Sequence, residues 1–205
     1  MVYKIGITGN IGCGKSTVGG YLQGLNAAVI DADTIVHELL AHDADIQKAL
    51  IEQFGSEILN PSTQQIDRAE LAARIFGPQQ QSDRRKVEHL LHPRVRQKIQ
   101  AFFLENQGKP VAFALIPLLF ENNLDFMVDE TWLVAIAPDI QRERLMRHRA
   151  MSPAAIEARL AAQMPQQDKL ARAHWTLWNN ESTDVLFEKI RRRLSAQGLV
   201  DGHCS

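Results

Sequence analysis

Short apolar segments recur along the chain, and longer stretches with helical spacing of apolar residues separate them. An apolar run without alternation is typical of a strand that is buried on both faces. Because helical stretches lie between the runs, the pattern predicts an α/β fold with three layers, a five-stranded parallel sheet covered by helices on both faces. The predicted strands are Lys4–Thr8, Ala27–Ile30, Val111–Ile116, Thr131–Ile136 and the weaker Trp175–Trp178.

The segment between the second and third predicted strands, about residues 33–109, is too long for a simple connection and predicts several helices. One helix is predicted to begin at His92-Pro93, with the proline in its first position, and to end before Gly108. Turn signals occur at Asn60–Thr63 and Gly77-Pro78. We interpret this segment as a helical insertion over the active edge of the sheet.

Two further helices are predicted within Pro138–Gln163, after the fourth strand. Ser152 is suited to cap the second of them and Pro153 to begin it. We interpret residues of about 139–165 as a lid.

The remaining boundaries complete one domain of 205 residues. A last helix is predicted over about Asp184–Leu194, with Leu186, Ile190 and Leu194 on one face. Residues 196–205 are expected to be a mobile tail. The core is expected to comprise about residues 1–32, 110–138 and 172–195.

Composition narrows the possible functions. Lys and Arg number 23 and Asp and Glu 24, and this near-zero balance argues against a nucleic-acid or anionic-membrane binder. The longest apolar run, Val111–Phe120, is too short to span a bilayer. The N-terminal apolar stretch enters a glycine-rich loop directly and is not interpreted as a signal peptide. The separate cysteines Cys13 and Cys204 suggest no disulfide framework and a reducing cytoplasm. We expect a monomer or a weak homo-oligomer.

A phosphate-binding motif follows the first predicted strand. Gly9–Ser16 has the spacing G-x-x-x-x-G-K-S and leads into a predicted helix, whose N-terminus favours an anion. In such a loop, backbone N–H groups turn toward phosphate, the lysine reaches the β- and γ-phosphates, and the serine hydroxyl binds Mg²⁺. A glycine-rich turn without a ligand is the alternative. The motif predicts a site for ATP and Mg²⁺, with Ser16 as the metal ligand, formed by Gly12, Cys13, Gly14, Lys15, Ser16 and Thr17.

Polar side chains follow the ends of several predicted strands. Asp31 and Asp33 follow the second strand, Glu121 the third and Asn179 the fifth. Because the carboxyl ends of parallel strands meet at one edge of a sheet, where ligands bind, we expect these residues and the phosphate loop to converge there.

A phosphoryl transferase needs a group that accepts the proton of the acceptor hydroxyl, and Asp33 is the candidate base. A helix N-cap is the alternative for Asp31 and for Asp33. No Walker B pattern of four apolar residues and an Asp precedes Glu121. Glu121 is therefore expected either to hold metal-bound water or an acceptor group, or to be a solvated loop acid.

Basic residues cluster in Gln141–Arg149, which contains four arginines. A charge run alone is typical of a solvated helix face, and Arg191–Arg193 is interpreted in that way. The position of the first cluster, before a pair of helices, favours a lid that brings an arginine over the triphosphate. Such an arginine raises the rate of phosphoryl transfer by about 10³- to 10⁵-fold. Cys13 is interpreted as a spacer, and the histidines lack the spacing of a zinc site.

The ordered set of motifs resembles the dephospho-coenzyme A kinase family over nearly the whole chain. The phosphate loop alone is shared by many kinases, so the resemblance depends on the set and its order. Its members are Thr8–Thr17, Ile30–Asp33, Ile66–Arg68 with Leu71 and Phe76, Leu91–Pro93 with Arg96, Pro117–Glu121, and then Arg144, Arg159 and Gln163.

The resemblance implies a P-loop kinase with a helical acceptor-binding insertion and a helical lid. It implies transfer of the ATP γ-phosphate to the ribose 3′-hydroxyl of dephospho-coenzyme A, the last step of coenzyme A synthesis. Asp33 then matches the base, Lys15 holds phosphates, Arg144 is the lid arginine, and Asn179 lies near the adenine. The residues that it directs to the acceptor are Asp33, Arg68, His92, Arg96 and Glu121.

The chain departs from the family pattern at several positions. Asn10 and Cys13 stand where the family usually has Gly and Ser. His148 stands where it often has a second lid arginine, for which Arg147 or Arg149 could substitute. Asn179 matches a family Asn, but the acidic residue and the glycine that flank it in the family are missing here. Two alternatives stay open: another P-loop nucleotide or small-molecule kinase, and a nucleotide-dependent switch or binding module.

Overall fold

A five-stranded, all-parallel sheet of order β2-β3-β1-β4-β5 organises the computed structural model, which describes residues 1–75 and 80–199. All five predicted strands are confirmed, and no boundary differs from its prediction by more than about one residue. The strands are β1 (Tyr3–Thr8), β2 (Ala28–Asp31), β3 (Val111–Leu115), β4 (Glu130–Ala135) and β5 (Trp175–Trp178).

The chain divides into two compact units. The first comprises Met1–Asp31 together with the chain from Phe102 onward, and the second is Ala32–Ala101. Among the described residues, no helix is long and apolar enough to cross a membrane.

The first unit contains the sheet, whose central strands are buried on both faces. Every residue of β3 and of β4 is buried, as expected for near-continuous apolar runs. The register pairs Ile5 with Phe113 and Ile7 with Trp132. The helices that lie wholly in this unit are α1 (Lys15–Gly24), α6 (Pro138–Arg149), α7 (Pro153–Ala161), α8 (Gln166–Arg172) and α9 (Thr183–Ala196).

The predicted helix pair after β4 is confirmed. Ala150 ends α6 in the left-handed conformation, with φ of 49°. Ser152 caps α7 by accepting a hydrogen bond from the Ala155 N–H at 3.3 Å, and Pro153 is the first helical residue. The last helix is confirmed too, with the predicted residues Leu186, Ile190 and Leu194 buried. Helix α8 has no counterpart among the predicted elements.

The second unit is helical, as predicted for the long insertion. Asp43 caps α3 by accepting from the N–H groups of Asp45 and Ile46, each at 3.1 Å. The predicted turn at Asn60 is confirmed, since its Oδ1 accepts from the Ser62 N–H at 2.9 Å. Phe76 and the turn signal Gly77-Pro78 lie outside the described residues. The helices are α2 (Ala32–His42), α3 (Ala44–Phe54), α4 (Arg68–Ile75) and α5 (Gln81–Glu105), the last of which continues into the first unit.

The predicted helix start at His92-Pro93 is wrong. Pro93 lies inside the 25-residue helix α5, which begins at Gln81. A proline inside a helix removes one backbone hydrogen bond and ordinarily kinks or ends the helix. Here burial outweighs that cost, because buried residues recur every four positions on both sides of the proline. They are Val87, Leu91, Val95, Ile99 and Phe103.

A buried carboxylate fixes α9 to the sheet. Glu130, in β4, is 3% exposed and accepts hydrogen bonds from the Tyr3 hydroxyl at 3.1 Å and the Trp132 indole N–H at 2.8 Å. Arg193 and Gln197 each donate to it at 2.6 Å. Burial by itself would raise the pKa of Glu130, but the hydrogen bonds from Arg193, Gln197 and Trp132 together hold the pKa below its usual value.

We therefore expect Glu130→Gln to lower the free energy of unfolding by about 2 kcal/mol near pH 7, because charge-assisted hydrogen bonds are lost. A carboxyl group whose pKa is depressed by folding stabilises the protein above its unfolded pKa of about 4.3. That contribution is lost as the pH falls through the lower folded value. The difference between the two proteins should therefore persist at about pH 6 and shrink below about pH 4, as measured by urea unfolding.

Glu188→Gln is the matched control, since Glu188 pairs with Arg191 and Arg192 on an exposed face of α9. Its effect should stay within about 0.5 kcal/mol. Equal losses for the two variants, or a Glu130→Gln difference that does not change with pH, would contradict the assignment.

Candidate active site

The loop between β1 and α1 has the backbone geometry of a phosphate-binding loop. Gly12 and Gly14 have φ of 77° and 96°, in the left-handed region that glycine tolerates. The positive φ disfavours a side chain at Gly14, and an added Cβ there would also displace Nδ2 of Asn179.

Lys15 is the first residue of α1, and its ammonium group turns back over the loop. The Lys15 Nζ donates to the carbonyl of Gly9 at 2.5 Å and to that of Asn10 at 3.5 Å. Ser16 and Thr17 are exposed in the same helical turn. A helix N-terminus, a lysine and a hydroxyl at one place are suited to bind a polyphosphate.

Asn179 connects the end of β5 to this loop. Its Nδ2 donates to the Cys13 carbonyl at 2.8 Å, and its backbone N–H donates to the Ala135 carbonyl at 2.8 Å. The structure thus brings Asn179 and the phosphate loop together, as predicted from the strand ends. Cys13 is 1% exposed and packs in the hydrophobic core, with its Sγ 3.8 Å from the Lys15 Nζ.

Glu121 follows β3, is half-buried, and forms an ion pair with the fully buried Lys169 of α8. The Lys169 Nζ lies 2.8 Å from the Glu121 Oε1, which also accepts from the Met164 N–H at 3.0 Å. Burial lowers the pKa of Lys169, and the Glu121 carboxylate opposes that shift. Sequence reasoning missed Lys169, because a lone lysine in a short polar helix carries no signal that it is 0% exposed.

The arginines of α6 differ in their partners. Arg142 pairs with Glu157 at 2.8 Å, and Arg147 pairs with Glu143 at 2.7 Å. Arg144 is half-buried and has no hydrogen-bond or ion-pair partner within residues 1–75 and 80–199. Its guanidinium group is therefore available for an anion.

The other predicted site residues lie in the second unit. Asp33 is exposed in the first turn of α2, two residues after β2 ends. Arg68 is exposed and is the first residue of α4, whose N-terminus Asp67 caps by accepting from the Ala69 N–H at 2.8 Å.

His92 and Arg96 lie one helical turn apart on α5, and both are half-buried. The Arg96 Nε is buried and has no hydrogen-bond partner among the residues that the structure describes. Burial lowers the pKa of His92, and the positive charge of Arg96 lowers it further, whereas Glu88 opposes the shift. A neutral imidazole beside a guanidinium is suited to a polar, anionic ligand.

Within the described chain, no group of three or more His, Cys, Asp or Glu side chains could hold a metal ion. The exposed Ser16 hydroxyl nevertheless suits Mg²⁺, which proteins commonly bind through few side chains together with substrate phosphates.

Comparisons with known proteins agree with this geometry. The dephospho-CoA kinase family model matches residues 3–184. A dephospho-CoA kinase of Wolinella succinogenes is 40% identical over 193 residues, which span 93% of this chain and 92% of that protein.

Solved structures resemble the fold over most of the chain. The protein TT1252 of Thermus thermophilus has a TM-score of 0.80 and 32% identity, with 96% of this chain and 97% of that chain covered. A dephospho-CoA kinase of Campylobacter jejuni has a TM-score of 0.65 at 23% identity, covering 94% and 96% of the two chains, which supports the fold alone. The predicted P-loop kinase fold and family resemblance are confirmed, and the chain belongs to the dephospho-CoA kinase family.

Proposed function

We propose that this protein transfers the γ-phosphoryl group of ATP to the ribose 3′-hydroxyl of dephospho-CoA, which gives CoA and ADP. The observation that carries the proposal is the family match over residues 3–184, in a chain that folds a complete phosphate loop. The reaction is the final step of CoA synthesis, and both substrates are small molecules.

The donor site is assigned to the loop and the first turn of α1. Lys15 exchanges its hydrogen bonds with the Gly9 and Asn10 carbonyls for β- and γ-phosphate oxygens. The backbone N–H groups of Gly12–Thr17 complete the phosphate cradle. Asn179 holds the loop through Cys13, and we assign it to the adenine side.

The Ser16 hydroxyl, with the phosphates of ATP, is the proposed ligand set for Mg²⁺. When bound, the ion would neutralise negative charge that develops on the phosphoryl group during transfer. Lys15 contributes positive charge at the same place from the protein.

The acceptor site is assigned to residues about 33–109, with Asp33 as the base that receives the 3′-hydroxyl proton. Support for Asp33 comes from its place directly after β2, whose carboxyl end lies at the same sheet edge as that of β1. Arg68, His92 and Arg96 supply positive or polar groups for the phosphates of dephospho-CoA. Glu121 completes the proposed acceptor set.

Residues of about 139–165 are the proposed lid, and Arg144 is its catalytic arginine. The free guanidinium of Arg144 supports this choice over Arg142 and Arg147, which pair with carboxylates. We place the protein in the cytoplasm, where the thiol of Cys13 stays reduced, as a monomer or weak homo-oligomer.

The purified protein should therefore phosphorylate dephospho-CoA with ATP and Mg²⁺. ATP consumption is measured with mass detection of the product, against a panel of AMP, a nucleoside and shikimate as alternative acceptors. Dephospho-CoA should give the highest kcat/KM. An acceptor that matched or exceeded it would contradict the assignment, and Lys15→Ala is the inactive reference.

Asp33→Asn should lower kcat by about 10²–10⁴ because the general base is lost, while the KM for ATP changes little. Steady-state kinetics with both substrates varied measures the split. Asp45→Asn is the matched control, because Asp45 is also an exposed Asp in the first turn of a helix. Unchanged kcat in Asp33→Asn would remove Asp33 as the base.

Arg144→Ala should lower kcat by about 10³ or more, as expected for an arginine that stabilises charge in the transition state. Single-turnover rates measure the chemical step directly. Arg142→Ala serves as a control on the same helix. A larger loss in Arg147→Ala or Arg149→Ala would assign the lid charge to that residue instead.

A further inference from the structure

Two glutamines from the proposed lid hold one residue of the phosphate loop from both sides. The Ile11 N–H donates to Oε1 of Gln163 at 2.8 Å, and the Ile11 carbonyl accepts from Nε2 of Gln141 at 2.6 Å. Gln141 is 6% exposed near the start of α6, and Gln163 follows α7. We call these two residues the glutamine clamp.

The main chain beside the clamp is fixed by further contacts. Asn10 donates from Nδ2 to the Met164 carbonyl at 3.3 Å, and the Met164 N–H donates to Glu121 at 3.0 Å. Glu121 is held in turn by the buried Lys169 at 2.8 Å. Gln163 is therefore held in place, because its neighbour Met164 is hydrogen-bonded to Glu121 and Glu121 pairs with the buried Lys169.

We propose that Gln141 and Gln163 are positioning residues that preset the phosphate loop for the triphosphate of ATP. The proposal rests on the proposed function insofar as ATP is the ligand of this loop. Neither glutamine is assigned to the phosphates, and both act through the main chain of Ile11. Because that residue immediately precedes Gly12, the clamp fixes the chain just before the amides that form the phosphate cradle.

The physical reason lies in the glycines of the loop. Gly9, Gly12 and Gly14 all have positive φ, and glycine loses more conformational entropy on ordering than any other residue. If the loop became ordered only on ATP binding, the loss of its conformational entropy would reduce the binding free energy of ATP. A loop that is already ordered avoids this loss. Hydrogen bonds to Ile11 restrict the chain between two of these glycines before ATP binds.

The clamp also bears on how the lid is attached. Gln141 and Gln163 lie near the two ends of the segment 139–165, so both ends of the proposed lid are hydrogen-bonded to the same loop residue, Ile11. Arg144 lies between these ends. The loop that holds the phosphates and the helix that carries the arginine are therefore fixed relative to one another at this point.

The test compares Gln163→Met and Gln141→Met, which keep side-chain length and remove the hydrogen bonds. Binding of ATP, inorganic tripolyphosphate and adenosine is measured at equilibrium in the presence of Mg²⁺. In each variant the affinity for ATP and for tripolyphosphate should fall about three- to tenfold, and the affinity for adenosine should stay unchanged. The double variant should lose less than the product of the single losses, because both glutamines fix one residue.

Gln167→Met is the matched control, since Gln167 is exposed on α8, four residues from Gln163. Urea unfolding verifies that each variant is folded. If the buried Gln141 does not tolerate Met, the half-buried Gln163 decides the proposal alone. Unchanged ATP affinity in Gln163→Met would overturn it, and so would an equal loss of ATP and adenosine affinity, which indicates general damage.

The test does not depend on the acceptor. If dephospho-CoA is not phosphorylated but the variants still lose triphosphate affinity selectively, the proposed function fails and the clamp stands. If dephospho-CoA is phosphorylated normally by both variants with native affinity for ATP, the clamp fails and the function stands.

Discussion

The donor site depends on hydrogen bonds that hold the main chain of the phosphate loop from outside. A glycine-rich loop has little conformational preference of its own, so neighbouring elements must supply its shape. Asn179 donates a hydrogen bond to the Cys13 carbonyl from the end of β5, and its amide lies so close to Gly14 that a side chain there would displace it. Because Gly14 has no side chain, there is room beside it for the Asn179 amide that supports the loop.

Electrostatics around the loop follow from the same arrangement. Burial lowers the pKa of Lys169, and the positive charge of Lys15 adds a smaller contribution in the same direction. Glu121 compensates the buried charge of Lys169 at 2.8 Å. A buried ion pair adds little net stability, since desolvation offsets the attraction, but it fixes position well. Here the ion pair positions Met164, whose N–H donates a hydrogen bond to Glu121 at 3.0 Å.

The strands and the phosphate loop were predictable because their signals are local. A run of apolar residues predicts a buried strand without knowledge of its neighbours, and a loop motif specifies its own backbone. The start of α5 was predicted wrongly for the opposite reason. Pro93 is a local signal for a helix start, but the buried stripe from Val87 to Phe103 depends on tertiary packing and outweighs it. Lys169 was missed because its burial is likewise set by partners distant in sequence.

The sequence identifies the site for the phosphoryl donor more readily than the site for the acceptor. The groups that bind a triphosphate are mostly main-chain N–H groups of consecutive residues, so one stretch of nine residues, Gly9–Thr17, suffices to recognise them. An acceptor is recognised by side chains from separate helices, and the proposed ones are Arg68 on α4 with His92 and Arg96 on α5. No spacing rule connects such residues, since the distance along the chain between two helices does not determine their distance in space. The motif therefore identifies a phosphoryl donor site, and only the order of motifs over the whole chain points to dephospho-CoA.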